Sequence, residues 1–150
     1  MKRKKIILLL LLLAAAAVAW YGYKEYTRIN KDLASAKADF VLAATDLIKE
    51  YESNDSVSAK KYNGKILEIN GQVKAVEKDD KGYYTVVIGD NTSMSAIRCA
   101  IDSLHNDKAT GLINKSSVSV RGACTGYNKD EMGLGSDIIL NRCVLINKKD

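Results

Sequence analysis

The sequence predicts a mainly β domain: five strands closed into a small barrel, preceded by helices and by an N-terminal transmembrane helix. Three observations predict it. Apolar residues switch from helical spacing to strict alternation at Lys65. Five alternating segments follow, separated by Asp-, Asn- and Gly-rich turns. At the start, Met1-Lys2-Arg3-Lys4-Lys5 precedes Ile6 to Ala19, which holds no polar side chain. A basic cluster ahead of an apolar run directs a chain to a membrane with its N-terminus in the cytoplasm.

The apolar run admits two readings. Ala17-Val18-Ala19 offers the small-x-small pattern of a cleaved signal peptide. Extended through Tyr23, the segment reaches roughly 27 Å of helix, just enough to cross hydrocarbon. Trp20, Tyr21, Tyr23 and Tyr26 then form an interfacial aromatic belt, with Lys24 and Arg28 in the aqueous phase. The retained anchor is the favoured reading. With no cysteine nearby, a lipid anchor is excluded. Residues 1–5 are thus expected to be cytoplasmic, 6–23 a signal anchor or signal peptide, 24–36 a linker, and 37–147 the folded domain. The localisation expected is a single-pass protein of the cytoplasmic (inner) membrane, with its C-terminal domain periplasmic or extracellular.

Charge arithmetic removes an apparent nucleic-acid signal. The chain carries 23 Lys and Arg against 18 Asp and Glu. Four of the basic residues lie at positions 2–5, so the rest stands at 19 against 18. A nearly neutral domain has no overall field for the phosphate backbone.

Along the exported part, Asn30 to Asn54 lacks Gly and Pro and reads as mostly helical. Phe40, Ala44, Leu47 and Tyr51 share one face, with Val41 and Ile48 beside it. Ala38 to Leu42 reads equally as a short extended start, with the helix proper from about Ala43. Either way the apolar face is expected to pack on the barrel wall or plug one end. Asp55 or Ser56 caps a second helix through Tyr62, and Asn63-Gly64 stops it. In the first barrel strand Leu67, Ile69, Gly71, Val73 and Ala75 share a face, and Gly71 marks a bulge or bend. Asp79-Asp80-Lys81-Gly82 is a hairpin turn, followed by a strand from Tyr83 to Ile88. Gly89-Asp90-Asn91 turns the chain into a third strand, Met94 to Ile101. Asp102 caps a short helix through about Lys108. A fourth strand spans Ser117 to Thr125, Gly126 to Ser136 is a loop, and the last strand is Asp137 to Ile146. Five strands with a helix between the third and fourth, the first strand bent at a glycine, is the layout of the OB-fold, a Greek-key barrel.

With these residues in place, the chain resembles the tRNA-anticodon-binding-like ("tRNA anti-like") family of small exported proteins. The resemblance rests on Lys37-Ala38-Asp39-Phe40, on Leu47, Tyr51 and Ala59, and on Tyr62-Asn63-Gly64-Lys65. It continues through Leu67-Glu68-Ile69-Asn70-Gly71-Gln72-Val73, Cys99, Gly122-Ala123-Cys124-Thr125-Gly126-Tyr127 and Cys143-Val144-Leu145. It covers about residues 36–146. Two departures stand out: Ala43 occupies a position where the family often has a capping Thr or Ser, and the loop from Gly126 to Ser136 is longer than usual. The resemblance implies the OB-fold and no demonstrated tRNA activity.

The expected ligand face of such a barrel is built from its second and third strands and flanking loops. Here that names Tyr83, Thr85, Val87 and Arg98, with Tyr127 and Lys129 in the loop beyond the fourth strand. Two tyrosines diluted by Asp79, Asp80, Asp130 and Glu131 make a thin case for stacked bases. The expected partners are therefore the membrane, through residues 6–23, and an envelope protein or glycan. A single-stranded nucleic-acid-binding domain is the alternative. Three cysteines in an exported chain allow one disulfide, Cys124–Cys143 or Cys99–Cys143. With one histidine and no Cys-x-x-Cys pair, neither a metal site nor another cofactor is expected. His105 reads as a solvent-exposed histidine without a nucleophile, so no catalytic residue and no enzymatic activity is expected.

Overall fold

The computed structural model describes residues 13–14, 16–23, 32–130, 132 and 135–146. The chain divides into two units, 1–31 and 32–150. Within the first, residues 16–23 are helical and exposed. Among the described residues no helix is long and apolar enough to cross a membrane. The rest of the expected anchor, residues 6–12 and 15, lies outside the described residues, as do residues 24–31 of the expected linker.

In the second unit the order is β1 (Phe40–Ala43), α1 (Ala44–Ser53), α2 (Asp55–Tyr62), β2 (Ile66–Lys78), β3 (Tyr84–Ile88) and β4 (Ala96–Ile101). A 3-10 helix (Ser103–Gly111), β5 (Ser117–Lys129) and β6 (Ser136–Leu145) complete it. Strands β2, β3, β4, β6 and β5 pair in that order and β5 closes back on β2, giving a five-stranded OB-like barrel. The β4–β6 pairing is parallel and the other four are antiparallel. Closure leaves no barrel edge unpaired, which removes the exposed amide ladders that open sheets must protect.

Strand β2 makes this possible because it changes partner midway. Ile66 to Gln72 pairs with β5, and Val73 to Lys78 pairs with β3. At the change of direction sits Gly71, where a Cβ would lie 2.5 Å from Ile88 Cγ2 and 2.8 Å from Ala44 Cβ. The start of α1 and the end of β3 therefore occupy the space a side chain would need. A bulge between Val73 and Ala75 follows. Strand β1 lies parallel to β2 over Leu67–Asn70, in the stretch β3 does not reach.

Alternation and amphipathicity put the core where the sequence placed it. Leu67, Ile69, Val73, Val86, Ile88, Ile97, Val120 and Leu140 are wholly buried inside the barrel. Helix α1 closes one end with Ala44, Leu47, Ile48 and Tyr51. Ala43 at its N-cap makes no side-chain hydrogen bond, whereas Asn54 caps α2 by accepting from Val57 N. Under the helices the Tyr51 ring stacks on Tyr127 at 4.8 Å, and Phe40 meets Tyr62 edge-on at 5.2 Å.

Two boundaries differ from the sequence reading. The stretch from residue 30 was expected mostly helical, with Ala38 to Leu42 reading equally as an extended start before a helix from about Ala43. Residues 32–39 are non-helical, and the extended start is what forms, as strand Phe40–Ala43 ahead of a helix from Ala44. Pairing with β2 supplies main-chain partners that a solvent-exposed turn of helix would lack. Strand β5 runs to Lys129, four residues into the expected loop, because Gly126 to Lys129 pairs with Ile139 to Ser136.

The segment ahead of β1, expected as linker through residue 36, is fastened to the barrel from Asp32 onward. Leu33 and Ala36 are buried against Val144, Ile66 and Ala123. The Arg121 guanidinium donates to the carbonyls of Leu33, Ala34 and Ala36, the last at 2.6 Å, and to Glu68 Oε2 at 2.7 Å. The His105 Nε2 lies 3.0 Å from both Asp32 carboxylate oxygens. The sole histidine is thus paired and largely covered, in place of the exposed residue expected.

Two outcomes follow from this packing. Gly71→Ala should lower unfolding free energy by about 1–3 kcal/mol, the usual cost of overpacking, read from chemical denaturation. Acid should also weaken the fold, because several carboxyls are held below their ordinary values. Lys61 and the Tyr62 hydroxyl do so for Glu50; the Ala34 amide and His105 do so for Asp32; Lys129 does so for Asp55. A lowered folded-state value adds stability above the unfolded value (4.5 for Glu50, 3.8 for Asp) and loses it as pH falls. Thermal melts should be flat from neutrality to about pH 5 and decline below it, with a shallower decline in Glu50→Gln.

Candidate ligand-binding face

The outward surface of β3 and β4 is assembled by register. Val87 pairs with Ala75 on one side and Arg98 on the other, and Thr85 pairs with Glu77 and Ala100. Side chains directly opposed in an antiparallel ladder share a face. Thr85, Val87 and Arg98 therefore lie together on the outside, with Tyr83, 48% exposed, at the hairpin end. The hairpin itself is firm. Asp79 accepts from the amides of Lys81 and Tyr83, and Asn106 of the 3-10 helix holds Gly82 O and Tyr84 N.

Arg98 is the charged centre of this face. Its Nη2 is ion-paired with Glu77 Oε2, and its Nη1 lies 3.8 Å from Asp137 Oδ2. Beside it opens a groove of about 470 Å³ lined by Lys74, Val87, Met94, Arg98, Lys129 and Asp137. Lys74 Nζ donates to the carbonyls of Ser93 and Ser95, at 2.6 and 3.2 Å. Lys129 Nζ meets Asp55 at 3.3 Å. The far wall is tied down by Ser95, whose hydroxyl donates to Glu52 Oε1 at 2.7 Å and accepts from Ser136 N. There the chain passes Met94 at Gly135. That residue has φ +105°, and a Cβ on it would lie 2.6 Å from the Met94 main chain.

The structure gathers Tyr83, Thr85, Val87, Arg98 and Lys129 on or around one face. Tyr127, expected with them, does not join it: its ring turns beneath the helices and stacks on Tyr51. The displacement follows from the extension of β5, which sets Tyr127 in a paired strand opposite Ile138. Sequence reasoning missed Glu77 and Asp137, the two carboxylates on Arg98. Alternation through β2 would have aimed Glu77 inward with Ala75. The bulge after Val73 reverses the phase, so Ala75 and Glu77 face out and Val76 packs on the core. Gly71 was the available sign of irregularity in that strand.

Cys99, Cys124 and Cys143 are all buried free thiols. The expected Cys124–Cys143 bridge is not formed. The Cys124 Sγ lies 3.5 Å from the Tyr51 hydroxyl and 3.6 Å from Asn63 Oδ1. The thiol that interacts with Cys143 is that of Cys99, and these two are not bonded to each other either. Burial pushes the Cys124 and Cys143 thiols up from their ordinary value, and burial likewise pushes the Tyr51 hydroxyl up. Among the described residues no group of three His, Cys, Asp or Glu side chains could hold a metal ion.

The sequence profile of the tRNA_anti-like family matches residues 1–143. The chain belongs to the tRNA_anti-like family. No curated protein matches it. Among solved structures, it is similar to a lipoprotein of Klebsiella pneumoniae proposed to bind nucleic acid. That match has 14% identity and a TM-score of 0.55, over 71% of this chain and 92% of that one. It is also similar to asparaginyl-tRNA synthetase of Pyrococcus horikoshii, with 22% identity and a TM-score of 0.40, over 58% of this chain and 21% of the synthetase. At these identities the first likeness establishes a shared OB-type fold and nothing finer.

Thiol chemistry provides a check on the barrel interior. Native protein should react slowly with an aromatic disulfide reagent at pH 8, because all three thiols are buried and the thiolates of Cys124 and Cys143 are disfavoured. Unfolding in guanidinium should then release three titratable thiols. A count of one would show a bridge that the fold described here does not contain.

Proposed function

We propose that this protein is a non-catalytic OB-fold binding module that takes an envelope protein or glycan on the β3–β4 face. One observation carries the reading: the cations of that face are already matched within the molecule. Arg98 is held by Glu77 and Asp137, Lys129 by Asp55, and Lys74 by two main-chain carbonyls. Single-stranded nucleic-acid binders instead present uncompensated basic residues along the backbone path, with several aromatics for base stacking. Here Tyr127 is withdrawn and Tyr83 is the exposed aromatic that remains.

The leader supports an extracytoplasmic setting for such a module. Its basic cluster at positions 2–5 and the apolar run through Tyr23 fit a retained anchor with the barrel outside the cytoplasm. The alternative, a single-stranded nucleic-acid-binding domain, draws on the family name and on the nucleic-acid binding proposed for the Klebsiella lipoprotein.

A photoreactive residue in place of Thr85, in full-length chain expressed in cells, tests both location and partner. The expected adduct is nuclease-resistant and pellets with membranes after alkaline carbonate extraction. Its yield should fall when Val87→Asp is added, because the apolar floor of the groove then carries a charge. A nuclease-sensitive adduct, or recovery of the adduct in cytosol, would overturn the proposal.

A further inference from the structure

The geometry points to Glu77 and Asp137 as specificity-determining residues of the β3–β4 face, excluding polyanionic strands and admitting ligands without net negative charge. The inference rests on the reading of that face as the binding surface, and it deepens it by naming the ligand class.

Arg98 projects from the centre of the face where OB domains meet their ligands. A planar guanidinium there would ordinarily offer a two-pronged hold on a phosphate or carboxylate. In this chain both approaches are taken from within. Glu77 reaches Arg98 across β3 from the far strand, and Asp137 approaches from the neighbouring β6. An incoming phosphate must displace a carboxylate already in place, and the displaced group then stays beside it with the same sign of charge.

The count over the groove together with the ion-pair partners of its cations has the same sense. Lys74, Arg98 and Lys129 line the groove with Asp130 and Asp137. Glu77 and Asp55, paired with Arg98 and Lys129 from outside the lining, bring the negative charges to four against three positive. The sum is −1, so the face has no net attraction for a strand that gains affinity by releasing counterions. Exchanging both carboxylates on Arg98 for amides leaves three positive against two negative, or +1, with side-chain shape preserved. Affinity for polyanions is therefore under the control of two residues. Neither belongs to the buried core, so the change leaves barrel packing alone.

The test uses the full chain in detergent and a dye-labelled thymidine oligonucleotide of roughly 20 nucleotides, read by fluorescence anisotropy at about 50 and 200 mM salt. Wild type should show no saturable binding at micromolar protein. Glu77→Gln/Asp137→Asn should bind at least about tenfold tighter, with log affinity falling by about 0.7 per phosphate neutralised for each unit of log salt. Adding Arg98→Ala should erase the gain. The single variants, each giving part of it, keep the test decisive if the double variant does not fold. A folded double variant, by circular dichroism, that binds no better than wild type would overturn the assignment and leave the proposed function standing. Salt-sensitive binding by wild type itself would overturn both.

Discussion

The bend in β2 is the constraint on which the rest of the molecule depends. One strand of thirteen residues must serve β5 with its first half and β3 with its second. A strand can do so only if it turns sharply, and a turn at this position is crowded by α1 and β3 together. Glycine resolves the crowding by having nothing to place there. The bulge that follows completes the turn and also exchanges inside for outside along the strand. Closure of the barrel and the placement of Glu77 on its outer surface are thus two results of one local irregularity.

That shared origin links packing to recognition. Among the described residues, the carboxylates around Arg98 come from β2 and β6, strands that flank the face without forming its centre. An OB barrel brings those strands close because it is small and strongly coiled. The face is consequently polar and charged, yet balanced. Members of one family can share backbone geometry and differ in ligand, because what distinguishes them is which side chains the flanking strands deliver.

The order of elements was legible in the sequence, and so were most inward-facing residues. Alternation in β3 and β4 needs no knowledge of partners, whereas in β6 the phase breaks between Leu140 and Cys143, where Arg142 has φ +54°. Helix α2 announced itself through polar residues at its start and Asn63-Gly64 at its end, with Gly64 at φ +77°. What escaped reading depended on contacts distant in the chain. Strand β1 reads in the sequence as extended or helical on equal terms, because its four apolar or small residues fit either state, and pairing with Leu67 to Asn70 decides between them. The end of β5 carries Gly126 and Asn128, residues typical of loops, and it is extended because β6 lies alongside. Tyr127 followed the strand and left the site. His105 has no neighbour in sequence that foretells Asp32, 73 residues away.

The attachment of residues 32–39 gives the barrel a mechanical character. Traction entering the unit at Asp32 would be met first by the imidazole–carboxylate contact, then by the guanidinium clasp on the carbonyl groups of Leu33, Ala34 and Ala36. These grips run beside Leu33 and Ala36, so peeling would uncover Val144 and Ala123 before strand β1 felt any load. Residues 32–39 therefore form a seam that would yield slack under load before the β3–β4 face lost its shape.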